Sequence, residues 1–185
     1  MTWIRRAYLY FYCLPIWQVV IWVAGVVGVF LLLRRFFRGS AWWRRCVGIA
    51  AGLWGGVILF CTLLRNPGTG EGVLLWVPFH SYFSVLTGGN PELLRTNFMN
   101  TLLFYPLGLL GSELLPRGWT LKKRLIFAAC FALALSCGIE IIQFVSRRGY
   151  AEMDDIIHNT AGICLGVLTT GHHANPAKRE VGYNE

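Results

Sequence analysis

The sequence predicts an all-α membrane protein, with about five transmembrane helices in one bundle and an interfacial or re-entrant segment between the second and third. Three observations carry this prediction. Hydrophobic residues make up 55% of the 185-residue chain and charged residues 14%. A soluble domain carries about 25% charged residues, so too few polar groups remain here to coat a water-exposed surface. Several apolar runs approach the roughly 20 residues that a bilayer crossing needs. The basic residues fall mainly in short clusters between those runs, the pattern of topology signals and of contact with anionic lipid.

The first apolar run extends from Leu14 to Leu33, follows Arg5-Arg6 and ends in Arg34-Arg35. No small-residue cleavage site closes it, so it reads as a span rather than a signal peptide. The second, Cys46 to Leu64, is apolar and Gly-rich. Asn90-Pro91-Glu92 has the order cap, first helical proline, first-turn acid, and opens a third helix running to about Leu115. Leu125 to Val145 is apolar except for Ser136, Glu140 and Gln143. The fifth span, Met153 to Thr170, begins with Asp154 and Asp155. Between the second and third lies Val73 to Leu86, too short to cross and broken by Pro78. Its Trp76, Phe79, Tyr82 and Phe83 favour the headgroup level. The chain thus divides into 1–72 with two helices, 73–171 with the interfacial segment and three helices, and a polar tail over 172–185.

Lys and Arg positions orient the bundle. With five spans, loops 34–45 and 116–124 and the tail share one side. Eleven of the seventeen basic residues lie there, which makes that side cytoplasmic and the N-terminus external. Arg5 and Arg6 run against this assignment. The net charge of +8 accompanies no groove-reading motif, so nucleic acid is not an expected partner. Cys13, Cys46, Cys61, Cys130, Cys137 and Cys164 sit in or beside apolar runs without a C-x-x-C pair, and read as small buried hydrophobes rather than disulfides or zinc ligands.

Under this topology three polar clusters meet at the outer membrane face. The third helix brings Arg95, Asn97 and Asn100, the fourth Glu140, Gln143, Arg147 and Arg148, and the fifth Asp154, Asp155, His158 and Asn159. Helical spacing sharpens the convergence. Ser136, Glu140, Gln143 and Arg147 share one stripe, as do Asp155, Asn159, Gly162 and Gly166, and Asn100, Phe104, Gly108 and Gly111. Small residues at these intervals let helices approach closely in lipid, so each helix turns a small-residue face inward below its polar end. One shared polar pocket is the expectation, against the simpler reading that these groups only pin helices together. Glu140 is the most telling residue, because an intramembrane carboxylate is costly unless paired; Arg95, Arg147 and Arg148 are the available cations. Asp154 and His158 stand four apart, but a zinc site usually recruits several His or Cys, so neither a metal nor another cofactor is expected. No nucleophile elbow or phosphate loop occurs.

These residues carry a resemblance to the VanZ family of small bacterial membrane proteins. The matching stretches are Arg95-x-Asn97-x-x-Asn100-x-x-x-Phe104-x-Pro106-x-Gly108, then Ile139-Glu140-x-x-Gln143. The third is Arg148-Gly149-Tyr150-x-Glu152-x-Asp154-Asp155-Ile156-x-x-Asn159-Thr160-x-Gly162-x-x-x-Gly166, and Pro78-Phe79 resembles the family's pre-helix segment. The match covers about residues 73 to 167. It implies a multi-pass plasma-membrane protein of the bacterial cell envelope, in a family named for a member linked to low-level resistance to teicoplanin. It brings no settled reaction and leaves open which of Asp154 and Asp155 is the key acid. Phe104, Pro106, Gly108, Gly111, Gly162 and Gly166 read as helix-packing residues.

The reading that joins these points is an envelope protein that binds an amphiphile at the outer leaflet: a membrane lipid, a lipid-linked wall precursor or a lipoglycopeptide such as teicoplanin. Arg95 and Arg148 would hold anionic groups, with Asn97, Asn100, Gln143 and Asn159 giving directional hydrogen bonds. Glu140 and Asp155 would orient the arginines. Two alternatives stand beside it: a membrane enzyme acting on a lipid headgroup with Glu140 or Asp155 as acid or base, and a structural partner in an envelope complex.

Overall fold

The computed structural model describes residues 15–64, 72–147 and 150–171. Cys13, the start of the first span at Leu14, Arg148 with Gly149, and the tail from His172 lie outside the described residues. The chain divides at Arg45/Cys46 into two compact units.

Helix α1 spans Ile16–Phe37 and helix α2 Ala41–Leu59. Ser40 starts α2 by accepting the Trp43 N–H at 3.0 Å, the side-chain cap that supplies one of the orphan N–H groups of a first turn. A wider turn, Phe60–Leu64, extends α2. Strand β1 (Val73–Leu75), a short helix α3 (His80–Leu86), α4 (Glu92–Leu114), α5 (Leu121–Ser146), strand β2 (Tyr150–Glu152) and α6 (Met153–Gly171) follow. Three of these helical stretches are long and apolar enough to cross a membrane: Ile16–Phe37, Ala41–Leu63 and Leu121–Ser146. Side chains such as Trp17, Trp22, Leu53, Ile141 and Val145 are exposed, an apolar surface suited to lipid rather than water.

Within the second unit, α4 and α6 form the tightest pair. They run parallel, since Asn100 meets Asp155, Tyr105 meets Thr169 and Ser112 meets Thr170. Their backbones touch at glycine. A Cβ at Gly162 would overlap the carbonyl of Thr101, one at Gly166 the backbone of Tyr105 through Leu109, and one at Gly108 the carbonyl of Ile163. Gly111 does not join them: a Cβ there meets nothing within 4 Å. It lies on the same stripe of α4 but beyond the closest approach, so spacing alone misassigned it to packing.

The core beneath this contact is Ile58, Phe104, Ala128, Ala132, Ile139, Ile163 and Val167, with Phe104 fully enclosed at 0% exposure. Pro106 sits inside α4 and removes the N–H that would bind the Leu102 carbonyl. One residue along, the Leu103 carbonyl accepts the Trp54 indole N–H at 2.8 Å. A neighbouring helix thus supplies a donor close to where the proline loosens the backbone.

The segment 73–86, expected to lie at the interface or re-enter, folds as β1, a turn and α3. Strand β1 pairs in parallel with β2, Val73 opposite Tyr150 and Leu75 opposite Glu152.

Candidate functional site

The polar ends of α4, α5 and α6 gather at one end of the second unit, beside β1, β2 and α3. Glu140 on α5 is 5% exposed, and its Oε2 accepts the Glu152 N–H of β2 at 3.0 Å. Asp155 and Glu152 are its like-charged neighbours. Asp155 on α6 accepts a hydrogen bond from Asn100 Nδ2 on α4 at 2.7 Å. These contacts bring Glu140, Asp155 and Asn100, from three helices, to one place.

The two adjacent aspartates have different tasks. Asp154 is 2% exposed and faces α3: Oδ1 accepts the Phe79 N–H at 2.5 Å and Oδ2 the Ser81 N–H at 2.8 Å. A carboxylate across the first N–H groups of a helix satisfies donors that have no partner within that helix. It also holds Phe79, whose φ of 60° is in the left-handed region, a conformation a bulky residue adopts only when surrounding contacts impose it. The Asp154 carbonyl accepts from His158 Nδ1 at 2.6 Å. In the neutral ring Nε2 is then an acceptor, and it lies 2.8 Å from the Tyr82 hydroxyl. The Tyr82 and His158 rings stack at 5.8 Å between centroids. His158 is thus engaged by α3 through Tyr82, and no group of three or more His, Cys, Asp or Glu that could hold a metal ion occurs among the described residues.

The amides divide between internal bonds and unmet ones. Gln143 Nε2 donates to the Thr62 carbonyl at 2.9 Å, while its Oε1 is buried without a hydrogen-bond partner among the described residues. Asn97 Nδ2 and Asn159 Oδ1 are likewise buried and unpartnered, each in a side chain 2% exposed. Most buried polar atoms in folded proteins have a partner, so three unmet ones at one end of a bundle call for an explanation. Arg95 Nε lies 3.8 Å from Glu92 Oε2, one turn earlier on α4. Ser136 and Gln143 are buried with Glu140 on their stripe of α5, but Arg147 is not. It is exposed and ends the helix at φ 54°, because the backbone turns left-handed there and carries the side chain off the stripe.

Glu152 stands between β2 and α6. Burial pushes its carboxyl above the usual range, Asp154 adds to the rise, and His80 opposes it. Its backbone N–H serves Glu140, a role no side-chain pattern announces.

At the opposite end of the unit, Arg124 is a buried residue that sequence reading took for part of a basic topology cluster. Nε donates to the Trp119 carbonyl at 3.2 Å, Nη1 to Ser112 at 2.9 Å and Nη2 to Pro116 at 2.9 Å. The guanidinium gathers the orphan carbonyls at the end of α4 and in the turn that follows. Ser112 in turn shares a hydrogen bond with Thr170 of α6.

The family model described as VanZ/LLP1 matches residues 52–171. That stretch runs from within α2 to the last residue of α6, and takes in both ends just described. No curated protein and no solved structure matches the chain. The matched residues include every buried polar group of the three-helix convergence, and three helices have the length and apolarity of membrane spans; the chain belongs to the VanZ/LLP1 family and is a membrane protein of that type.

Proposed function

We propose that this protein binds the headgroup of an envelope amphiphile at the polar end of α4, α5 and α6. The supporting observation is the meeting of Glu140, Asp155 and Asn100 beside three buried polar atoms without hydrogen-bond partners among the described residues, Asn97 Nδ2, Gln143 Oε1 and Asn159 Oδ1. Buried polar atoms usually have a partner, and those left without one among the described residues are donors and acceptors open to another molecule. Arg95, with Arg148 in the neighbouring segment, supplies cationic charge for a phosphate or carboxylate, and such charge-assisted contacts are the strong ones.

In this reading α4 and α6 cross the membrane with α1, α2 and α5, giving five spans in the bacterial plasma membrane. The N-terminus lies outside, the C-terminus in the cytoplasm and the polar end at the outer leaflet. The exposed Trp76, Phe79, Tyr82 and Phe83 suit the headgroup level, which makes the β1–α3 segment interfacial. The ligands that fit are a phospholipid, a lipid-linked wall precursor or a lipoglycopeptide, and capture of the last would lower susceptibility to teicoplanin.

The test is binding of these amphiphiles to purified protein, with teicoplanin susceptibility of expressing cells alongside. Glu140→Gln and Arg148→Ala, expressed at normal level, should each weaken both. Wild-type behaviour of both variants in both assays would overturn the proposal.

A further inference from the structure

We propose that the turn between α4 and α5 is a surface site for an anionic phospholipid, whose phosphate it seats. It lies at the end of the unit opposite the polar convergence and stands apart from the binding reading above. Helix α5 has the length and apolarity of a membrane span and starts at Leu121, so residues 117–123 stand at headgroup depth. Arg117, Lys122 and Lys123 are all exposed there. No Asp or Glu occurs from Leu114 to Ile139, and Glu113, the nearest acid along the chain, is half-buried on α4. Among the described residues none of the three cations is paired with an acid. Like charges held close together repel one another, and an anion between them relieves that repulsion.

The backbone that carries these cations is fixed from within. Arg124 gathers the Ser112, Pro116 and Trp119 carbonyls, and the Trp119 N–H closes the turn on the Pro116 carbonyl at 3.2 Å. Arg117 lies in that turn, and Lys122 and Lys123 come just before the clasping residue on α5. Thr120 caps the helix by accepting the Lys123 N–H at 3.4 Å, and Leu121 rests against Gly171 at the end of α6. A platform fixed in this way loses little freedom on binding. Below it the surface turns apolar. Helical spacing puts Ile126, Phe127, Cys130 and Leu133 in line with the two lysines, and all four are exposed. Trp119 joins the two halves: its ring meets Phe127 edge-on at 5.5 Å, and amphipathic aromatics favour that depth. Cations above an exposed apolar stripe match a phosphate that carries acyl chains, since basic groups at the end of a span attract anionic lipid. Free phosphate would use the upper half alone.

The experiment measures lipid retained by the full-length protein, released from detergent in native mass spectrometry, using phosphatidylglycerol and phosphatidylcholine of identical chains. Wild type should hold phosphatidylglycerol more tightly than phosphatidylcholine. The double variant Lys122→Gln, Lys123→Gln should weaken the binding of one phosphatidylglycerol on the order of five-fold per cation removed, and Arg117→Gln should act in the same direction. The control removes two cations from the other basic loop, Arg35→Gln with Arg45→Gln, both exposed, and should leave that binding at the wild-type level. Equal affinity of wild type for the two lipids, or wild-type binding in the Lys122, Lys123 variant, overturns the proposal. An equal loss in the two double variants also overturns it, since that is diffuse attraction to net charge rather than a site. Excess inorganic phosphate at constant ionic strength should leave the lipid in place; displacement would make this a phosphate site and overturn the lipid assignment.

Discussion

Replacing Asp154 by Asn tests whether neighbouring acids that look interchangeable in the sequence are distinct in the fold. Asp154 accepts the Phe79 and Ser81 N–H groups at 2.5 and 2.8 Å. Asparagine keeps one oxygen and turns an NH₂ toward the second donor, so one charge-assisted bond is lost and the other weakened. At about 1.5–3 kcal/mol per hydrogen bond to a charged group, the expected loss is about 2–3 kcal/mol. Helix α3 has seven residues, too few to persist without an anchor, so the loss should appear as local opening of α3 rather than global unfolding. Amide hydrogen exchange read by mass spectrometry should show protection across 79–87 falling on the order of 30- to 150-fold. Asp155→Asn alters the contact with α4 and the charge beside Glu140, and should leave α3 protected. Wild-type exchange in Asp154→Asn, or equal exposure of α3 in Asp155→Asn, would refute the assignment.

Gly166→Ala should destabilise the protein by about 1–3 kcal/mol, since backbone atoms of α4 occupy the space of a methyl group. Gly111→Ala, with open space around it, should be neutral or stabilise by up to about 1 kcal/mol; equilibrium unfolding in mixed detergent micelles compares the two. Arg124→Ala should cost about 3–5 kcal/mol by orphaning buried carbonyls at the end of α4, whereas Arg117→Ala, outside that network, should stay within about 0.5 kcal/mol in the same assay. Glu152 has its folded-state affinity for protons raised, so its contribution is fully present below the unfolded carboxyl range near pH 4.3 and is lost as pH rises through the higher folded value. Glu152→Gln should therefore raise the melting temperature at pH 7 and flatten its dependence on pH above 4.5; an unchanged pH profile would contradict the burial of that carboxyl.

The helices were legible because apolar runs and helical spacing are local properties. The approach of α4 to α6 could be read from Gly108, Gly162 and Gly166, since small residues on one stripe have few uses in lipid other than contact. The meeting of Asn100 with Asp155 followed from the same stripes. What could not be read depends on partners distant in the chain or on the backbone. Strands of three residues carry no periodicity, so the pairing of 73–75 with 150–152 leaves no pattern. The division of labour between Asp154 and Asp155 turns on the left-handed Phe79, which a phenylalanine does not announce. Arg124 looks like any residue of a basic loop until its three carbonyl partners are placed around it. The exposure of Arg147 follows from one backbone torsion at the end of α5.

The contact of α4 with α6 has a consequence for motion. Backbone lies directly on backbone at three glycines, and the pair is tied again at Asn100–Asp155, Tyr105–Thr169 and Ser112–Thr170. Two helices joined over that length have no room to slide or part, and behave as a single rigid board. Any widening of the polar end then falls to the elements joined by fewer bonds. These are α5, whose polar end is held by the Glu140–Glu152 and Gln143–Thr62 contacts, and α3, which hangs on one carboxylate and one tyrosine. The frame of this unit is main chain; what it carries is hung on side chains.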